Sequence, residues 1–522
     1  VGEGNNHYWM LWRAFQDQPV SNLPDGIPVP FMDVVNLPLS LPTVLVDPAL
    51  GFNQVVALNL LLAFAGAWAL ARELGISQRA ALTAGVAALA SPFLSGQVDF
   101  GLTESLPVGW IGLHAAALLR FGRTGEWRWS FAAGGALGAF VLAGWYHATF
   151  GLVVELAVVP VVLLRSRLPW WKRLAGVLGQ GALAAVLVVP ALLRFLEVKA
   201  MWAERWHPPS AFPADIRMRW RVTPNYGADL LNLVLPEVRE RLDISQTVYV
   251  GLIGLTLAGL AEKRARWVWL VCAPLWLLAL GHWLGVAGHT KFVGRYWRMP
   301  AGYLVTWFEP LQGLSHWHRA AGPATLFMAV GAASGVERIS RRLSWVWIAA
   351  PVLILVDSIG LSQTRWPRQQ VDTTVPEVLV ELPEGGLLQL PFDNGRGDFS
   401  DDIPRRFNLW QPGHGHPVSE NYEGKDALLF DSRVAAAADG LCGVPATVPH
   451  GWTPGNTRRD PDKALLVAEQ EHALLRDAGI RYVVLHTRNC PGQARTSEFL
   501  TRALGPMERE QDEIRVWEIP QE

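Results

Sequence analysis

The sequence predicts an α-helical polytopic membrane protein with a C-terminal soluble α/β domain, and three observations predict it. Half of its 522 residues are hydrophobic and 17% are charged, against about 25% charged in ordinary soluble domains. Charge is scarce before Ser362 and dense from Arg365 to Glu522. Apolar runs suited to crossing hydrocarbon as helices recur throughout the first part. The expected division is a transmembrane region over residues 1–362 with large loops on one face, followed by a soluble region over residues 363–522.

About ten spans are expected, approximately Asn53 to Leu74, Ala80 to Ser95, Ser105 to Arg120, Arg128 to Tyr146, Thr149 to Leu164, Leu174 to Phe195, Thr247 to Ala261, Trp267 to Trp283, Ala320 to Val336 and Trp345 to Leu361. The chain opens on the polar segment VGEGNNHYWM, with no basic and apolar leader ahead of it. One further helix, acting as a signal anchor, is expected to precede Val1.

Orientation follows from the basic residues of alternate loops, because short cytoplasmic loops retain Lys and Arg. Arg72 and Arg79, Arg120 with Arg123 and Arg128, Arg165 to Arg173, Lys263 to Arg266, and Arg338 to Arg342 all fall on one side. The opposite, outer face receives GQVDFGLTE, a tight WYHAT turn, the loop from Lys199 to Gln246, the segment from Leu284 to Arg319 and the C-terminal domain. That alternation predicts a multi-pass membrane protein with its C-terminal domain on the outer, periplasm-type face. MWAERWHPPSAF and KFVGRYWRMPAGYLVTWFEPL mix aromatics with basic residues, a composition suited to the headgroup level and to membrane lipid.

In the C-terminal part GGLLQLPF, RYVVLHT and IRVWEI read as strands, and DPDKALLVAEQEHALLRDAGI as an amphipathic helix ending at Gly479. Cys442 and Cys490 both fall there and are a candidate disulfide in an oxidising compartment. A net charge of −1 without any Lys/Arg block argues against a nucleic-acid partner. No GxGxxG or GxxxxGK[ST] motif marks a nucleotide site.

Ionisable groups near a bilayer are costly unless pairing or function retains them. On the outer face these are Glu3, Asn5, Asn6, His7, Asp25, Asp33, Asp99, Glu104, His147, Arg194, His316, His318 and Arg319. In GEGNNHYW, Glu3 lies between glycines that let backbone approach a ligand, and its carboxylate is suited to accept a proton. With Asp99 or His7 it is a candidate ligand for a divalent cation, Mg or Mn. Asp99 and Glu104 interrupt the apolar SPFLSGQVDFGLTES, and His316, His318 and Arg319 precede a span in LSHWHRAAG, where an arginine suits a phosphate. Each also has a plain structural reading, as a helix cap, an interfacial anchor or a solvated turn. Glu155, inside the apolar GLVVELAVV, is expected to bond across helices.

GEGNNHYWMLWRAF, LPDGIPVP, NLLLAFAGAWALARELGIS, SPFLSGQVDFGLTES, ADLLNLVLPE, TVYVGLIGLTLAGLA and EPLQGLSHWHRAAGPATLF, in this order, resemble bacterial membrane glycosyltransferases of the C-type fold. The resemblance covers essentially the whole chain on loose motifs. It implies a first-loop carboxylate near the acceptor, at Glu3, and a second acidic residue at Asp99 or Glu104. It also implies basic residues on the lipid phosphate, at Arg295, Arg298 or Arg319. Glu3 stands alone where the family often carries an acidic pair, which puts a metal requirement in doubt.

On this resemblance the expected activity is transfer of a sugar from a polyprenyl-phosphate donor to an acceptor on the outer membrane face. Catalytic roles fall to Glu3, Asp99 and Glu104, and substrate binding to Asn6, His7, Arg295, Arg298, His318 and Arg319. The alternatives are a non-catalytic subunit of a larger envelope assembly with an outer binding domain, and a lipid or solute transporter.

Overall fold

A computed structural model describes residues 11–14, 33–205, 228–234, 249, 251–287, 289, 291–292, 295–308, 311, 316–360, 373–390, 410–418, 441–442, 465, 468–490 and 492–520. The expected boundary at 362/363 lies outside these residues.

The membrane part is a helical bundle: α1 (Pro48–Glu73), α2 (Gln78–Leu89), α3 (Pro92–Phe100), α4 (Gly109–Thr124), α5 (Trp127–Leu142), α6 (Trp145–Arg165), α7 (Trp170–Arg205), α8 (Leu252–Gly259), α9 (Trp269–Ala279), α10 (Ala321–Ser340) and α11 (Val346–Gly360). Each expected span overlaps at least one of them. Among the described residues four segments are long and apolar enough to cross a membrane: Pro48–Glu73, Gln78–Asp99, Trp145–Arg165 and Trp170–Glu197. Helix α8 has eight residues, about 12 Å at the α-helical rise, and is too short to cross a core of about 30 Å alone.

Two expected boundaries shift. The span from Ala80 to Ser95 is two helices, because Pro92 brings no N–H and Ser91 Oγ accepts from Leu94 N at 3.3 Å to cap a new start. GQVDF therefore lies in α3 and not in a loop. WYHAT likewise opens α6, the break falling at Ala143 and Gly144 just before it.

Helices α1 and α4 cross at glycines. A Cβ on Gly66 would stand 2.3 Å from Gly109 O, and one on Gly109 would stand 2.2 Å from Leu62 O. Only hydrogen fits at these positions, so the backbones touch, as small residues allow between membrane helices. Helix α10 is the central element: Ala321 to Val336 are all buried. Helices α6, α7 and α11 instead expose Leu156, Val186 and Val356, as lipid-facing surfaces do.

The basic loops assigned to one face are joined there. Arg120 and Arg123 pair with Glu73, at 3.2 and 2.7 Å, while Arg264 and Arg341 pair with Glu262 and Glu337. These pairs tie the C-terminal ends of α1, α4 and α10. Glu155 lies 3.1 Å from His114 Nε2 and accepts from Gln180 Nε2 at 2.9 Å, joining α6 to α4 and α7. His114 Nδ1 is 3.0 Å from Ala133 O on α5.

The C-terminal residues build a four-stranded sheet, β1 (Gly386–Leu390), β2 (Ile480–His486), β3 (Arg509–Gln511) and β4 (Ile514–Glu518), in the order β1-β2-β4-β3. Strands β1 and β2 are parallel and the other pairs antiparallel. Helices α12 (Ala468–Asp477) and α13 (Gln493–Leu504) pack on one face through Leu475, Phe499, Leu500 and Trp517. Gly479, at φ 77°, turns α12 into β2. All three predicted strands form, together with the short β3, and Cys442 is disulfide-bonded to Cys490.

Candidate active site

A buried polar cluster gathers at the end of the bundle away from the Glu73 and Glu262 ion pairs. Gly101, left-handed at φ 71°, ends α3 and turns the chain into the short helix Thr103–Ser105, which is wholly buried. Gly109, held against α1, then starts α4. Glu104 thus lies in the connection from α3 to α4, just before the end of α4 that is held against α1. Opposite it, the turn Trp317–Ala320 leads into α10 with Trp317 fully buried. Arg319 Nη1 donates to Glu104 Oε1, the two side chains being 5% and 6% exposed. The guanidinium carbon also lies 5.1 Å from the centroid of the Tyr146 ring, a cation–π contact.

Asp33 extends the cluster. It is 3% exposed and has φ 77°, uncommon for a residue with a side chain. Asn36 Nδ2 donates to its Oδ1 and Thr103 Oγ1 to its Oδ2. Asn36 Nδ2 also bonds Thr103 O at 3.1 Å, and Asn36 Oδ1 accepts from Asn59 Nδ2 of α1 at 2.7 Å. Burial pushes the Asp33 carboxyl up to about 7; the Thr103 hydrogen bond opposes this, the Glu104 charge adds to it and the Asn36 bond opposes it. Two buried carboxyl groups so close do not both ionise readily.

On the other side, Tyr146 opens α6. Its phenol oxygen accepts from His316 N at 3.1 Å and lies 3.1 Å from His316 Nδ1. Burial, then the Arg319 charge and then His318 hold His316 well below the ordinary imidazole value. The His316 and His318 rings meet edge to face at 5.7 Å.

Of the outer-face candidates, Asp33, Glu104, His147, His316, His318 and Arg319 come together here. Asp99 is half-buried in the last turn of α3, five residues before Glu104. Arg295 and Arg298 lie on an exposed surface, Arg295 in a two-stranded hairpin with Lys291–Phe292. Arg298 bonds Thr306 and lies over the Tyr303 ring at 5.1 Å. That surface adjoins the cluster through His282, whose carbonyl accepts from Met299 N at 2.9 Å and whose ring meets Trp317. Glu3, Asn6 and His7 lie outside the described residues.

Asp33, Asn36, Asn59, Thr103 and Tyr146 received no sequence-based role. Asp33 and Asn36 stand three apart in MDVVN, and Asn59 is the one amide in the apolar LNLLLAFA. Those placements were the available signal. No group of three or more His, Cys, Asp or Glu side chains among the described residues is arranged to hold a metal ion.

No protein-family model matches the chain, and no curated protein matches it in sequence. In three dimensions it is similar to the arabinofuranosyltransferase AftD from Mycobacteria, with a TM-score of 0.53 and 14% identity over 99% of this chain and 40% of AftD. It is also similar to the Archaeoglobus fulgidus oligosaccharyltransferase, with TM-score 0.47, 12% identity, 96% of this chain and 68% of that one. The third is ArnT from Cupriavidus metallidurans, solved with undecaprenyl phosphate, with TM-score 0.43, 17% identity, 99% of this chain and 94% of that one. The chain thus spans about 40% of the length of AftD. Its fold is similar to that of the matched part of AftD, over 99% of this chain.

Proposed function

We propose that the protein is a membrane glycosyltransferase that moves a sugar from a polyprenyl-phosphate donor to an acceptor hydroxyl at the outer face of a bacterial inner membrane. The observation carrying this reading is the burial together of Asp33, Glu104 and Arg319 at one end of the bundle. A carboxyl group able to take a proton near neutral pH, as Asp33 is, beside a second carboxylate and a fixed cation, suits glycosyl transfer from a lipid phosphate.

In the reaction the acceptor hydroxyl loses its proton to the Asp33–Glu104 pair while its oxygen bonds to the anomeric carbon. The bond from that carbon to the phosphate oxygen breaks, and its electron pair leaves with the polyprenyl phosphate. Arg319 stabilises the charge developing on the leaving phosphate, assisted at the membrane surface by Arg295 and Arg298. Glu3, with Asn6 and His7, orients the acceptor, and Asp99 lies along its approach. No step is routed through a metal.

The test is transfer of radiolabelled sugar from short-chain polyprenyl-phosphate donors by the purified full chain. Asp33→Asn and Glu104→Gln should each lower kcat by about two orders of magnitude, the scale of a lost acid–base group. Undiminished kcat in both variants removes the carboxyl pair from the mechanism.

A further inference from the structure

One group at the proposed site has no task in that reaction. His147, in the first turn of α6, is 2% exposed, and its ring stands edge to face against Phe140 at 4.6 Å and Phe150 at 6.2 Å. The two phenyl rings fix its plane. Its Nδ1 is buried, and among the described residues no group meets it at full hydrogen-bond geometry, the Gly144 backbone being the polar group beside it. Leaving such an atom unsatisfied is costly, a penalty that a bound partner would lift.

Nδ1 and Glu104 flank the same glycine. It lies 3.3 Å from the point a Cβ would occupy on Gly144, and Glu104 Oε2 lies 3.9 Å from the same point. Gly144 has φ 174° and ψ 153°, extended backbone that any residue adopts, so chain conformation does not demand a glycine there. What the glycine supplies is space between a carboxylate and an imidazole.

We infer that His147 Nδ1 and Glu104 hold between them a hydroxyl group of the sugar substrate, admitted past Gly144. This rests on the glycosyltransferase reading and adds the chemistry of the group bound. A hydroxyl both donates and accepts, so it satisfies a carboxylate on one side and a ring nitrogen on the other. An anionic oxygen would be repelled by Glu104, and an apolar group would leave Nδ1 unsatisfied. His147 is therefore a substrate-binding residue, and Gly144 sets the size of what it can receive.

The experiment measures binding of a panel of farnesyl-phosphate-linked pentoses and hexoses to the full chain in detergent micelles, alongside thermal midpoints and sugar transfer. The variants are Gly144→Ala, His147→Leu and His147→Asn, the last placing an amide near the position of Nδ1. Gly144→Ala and His147→Leu should weaken binding at least about tenfold with little change of midpoint, whereas His147→Asn should stay within about threefold of wild type. A packing role predicts the same loss for Asn and Leu. Wild-type affinity in Gly144→Ala, or equal losses in His147→Asn and His147→Leu, overturns the inference; if His147→Leu does not fold, Gly144→Ala decides alone. Failure of the whole panel to bind wild type overturns it as well. Wild-type binding without transfer overturns only the catalytic reading, and the variants' affinities still decide the hydroxyl seat.

Discussion

Removing one partner of the Glu104–Arg319 pair is the sharpest perturbation of the cluster. The side chains are 6% and 5% exposed, so either survivor is left with its charge out of water. Breaking a buried pair in this way costs about 3–5 kcal/mol, whereas replacing both partners is often close to neutral. The two single variants should differ. A stranded carboxylate can take up a proton, but a stranded guanidinium cannot lose one, so Glu104→Gln should cost more than Arg319→Met. The Arg319→Met, Glu104→Gln double variant should recover most of the loss, giving a coupling of about 2–4 kcal/mol, or roughly 30- to 1,000-fold in the folding constant. Unfolding of the full chain by SDS titration in mixed micelles, followed by tryptophan fluorescence, measures all four corners of the cycle. Additivity within about 0.5 kcal/mol would refute the claim that these two groups hold one another in a desolvated site.

Two further outcomes follow from the described geometry. Asp33 has a folded-state value near 7 against 3.8 when free, so as pH rises from about 4 to 7 the unfolded chain loses this proton first and stability falls, by at most on the order of 4 kcal/mol. Asp33→Asn should flatten that part of a stability–pH profile, and an unchanged slope would remove the burial argument. The disulfide joins residues 48 positions apart, for which chain entropy gives about 4 kcal/mol. Cys442→Ala with Cys490→Ala should lower the unfolding midpoint of the C-terminal sheet in oxidising buffer and abolish its sensitivity to reductant. Equal midpoints with and without reductant in the wild type would contradict this.

The apolar runs and the basic loops carried the fold, because hydrophobic length and Lys/Arg placement are written locally. GGLLQLPF, RYVVLHT and IRVWEI were equally legible, since a short apolar or alternating run needs no partner to be recognised. What local pattern missed was closure. The α1–α4 contact at Gly66 and Gly109 is a property of two surfaces, and neither glycine announces its counterpart. Glu104, His318 and Arg319 could be named because charge within apolar sequence is conspicuous. Asp33 and Asn59 escaped a role because their meaning comes from each other and from Asn36, which connects them only after the chain has folded. WYHAT, expected as a tight turn between spans, opens a helix that places Tyr146 against Arg319.

The contact between His114 and Glu155 bears on how this chain enters a membrane at all. The Ala133 carbonyl beside Nδ1 can only accept, so Nδ1 is the donor there, and the other ring nitrogen faces Glu155 Oε1 at 3.1 Å. A polar group inside an apolar helix is costly without a neighbour. Packed together, α4 and α6 each supply the neighbour that the other needs.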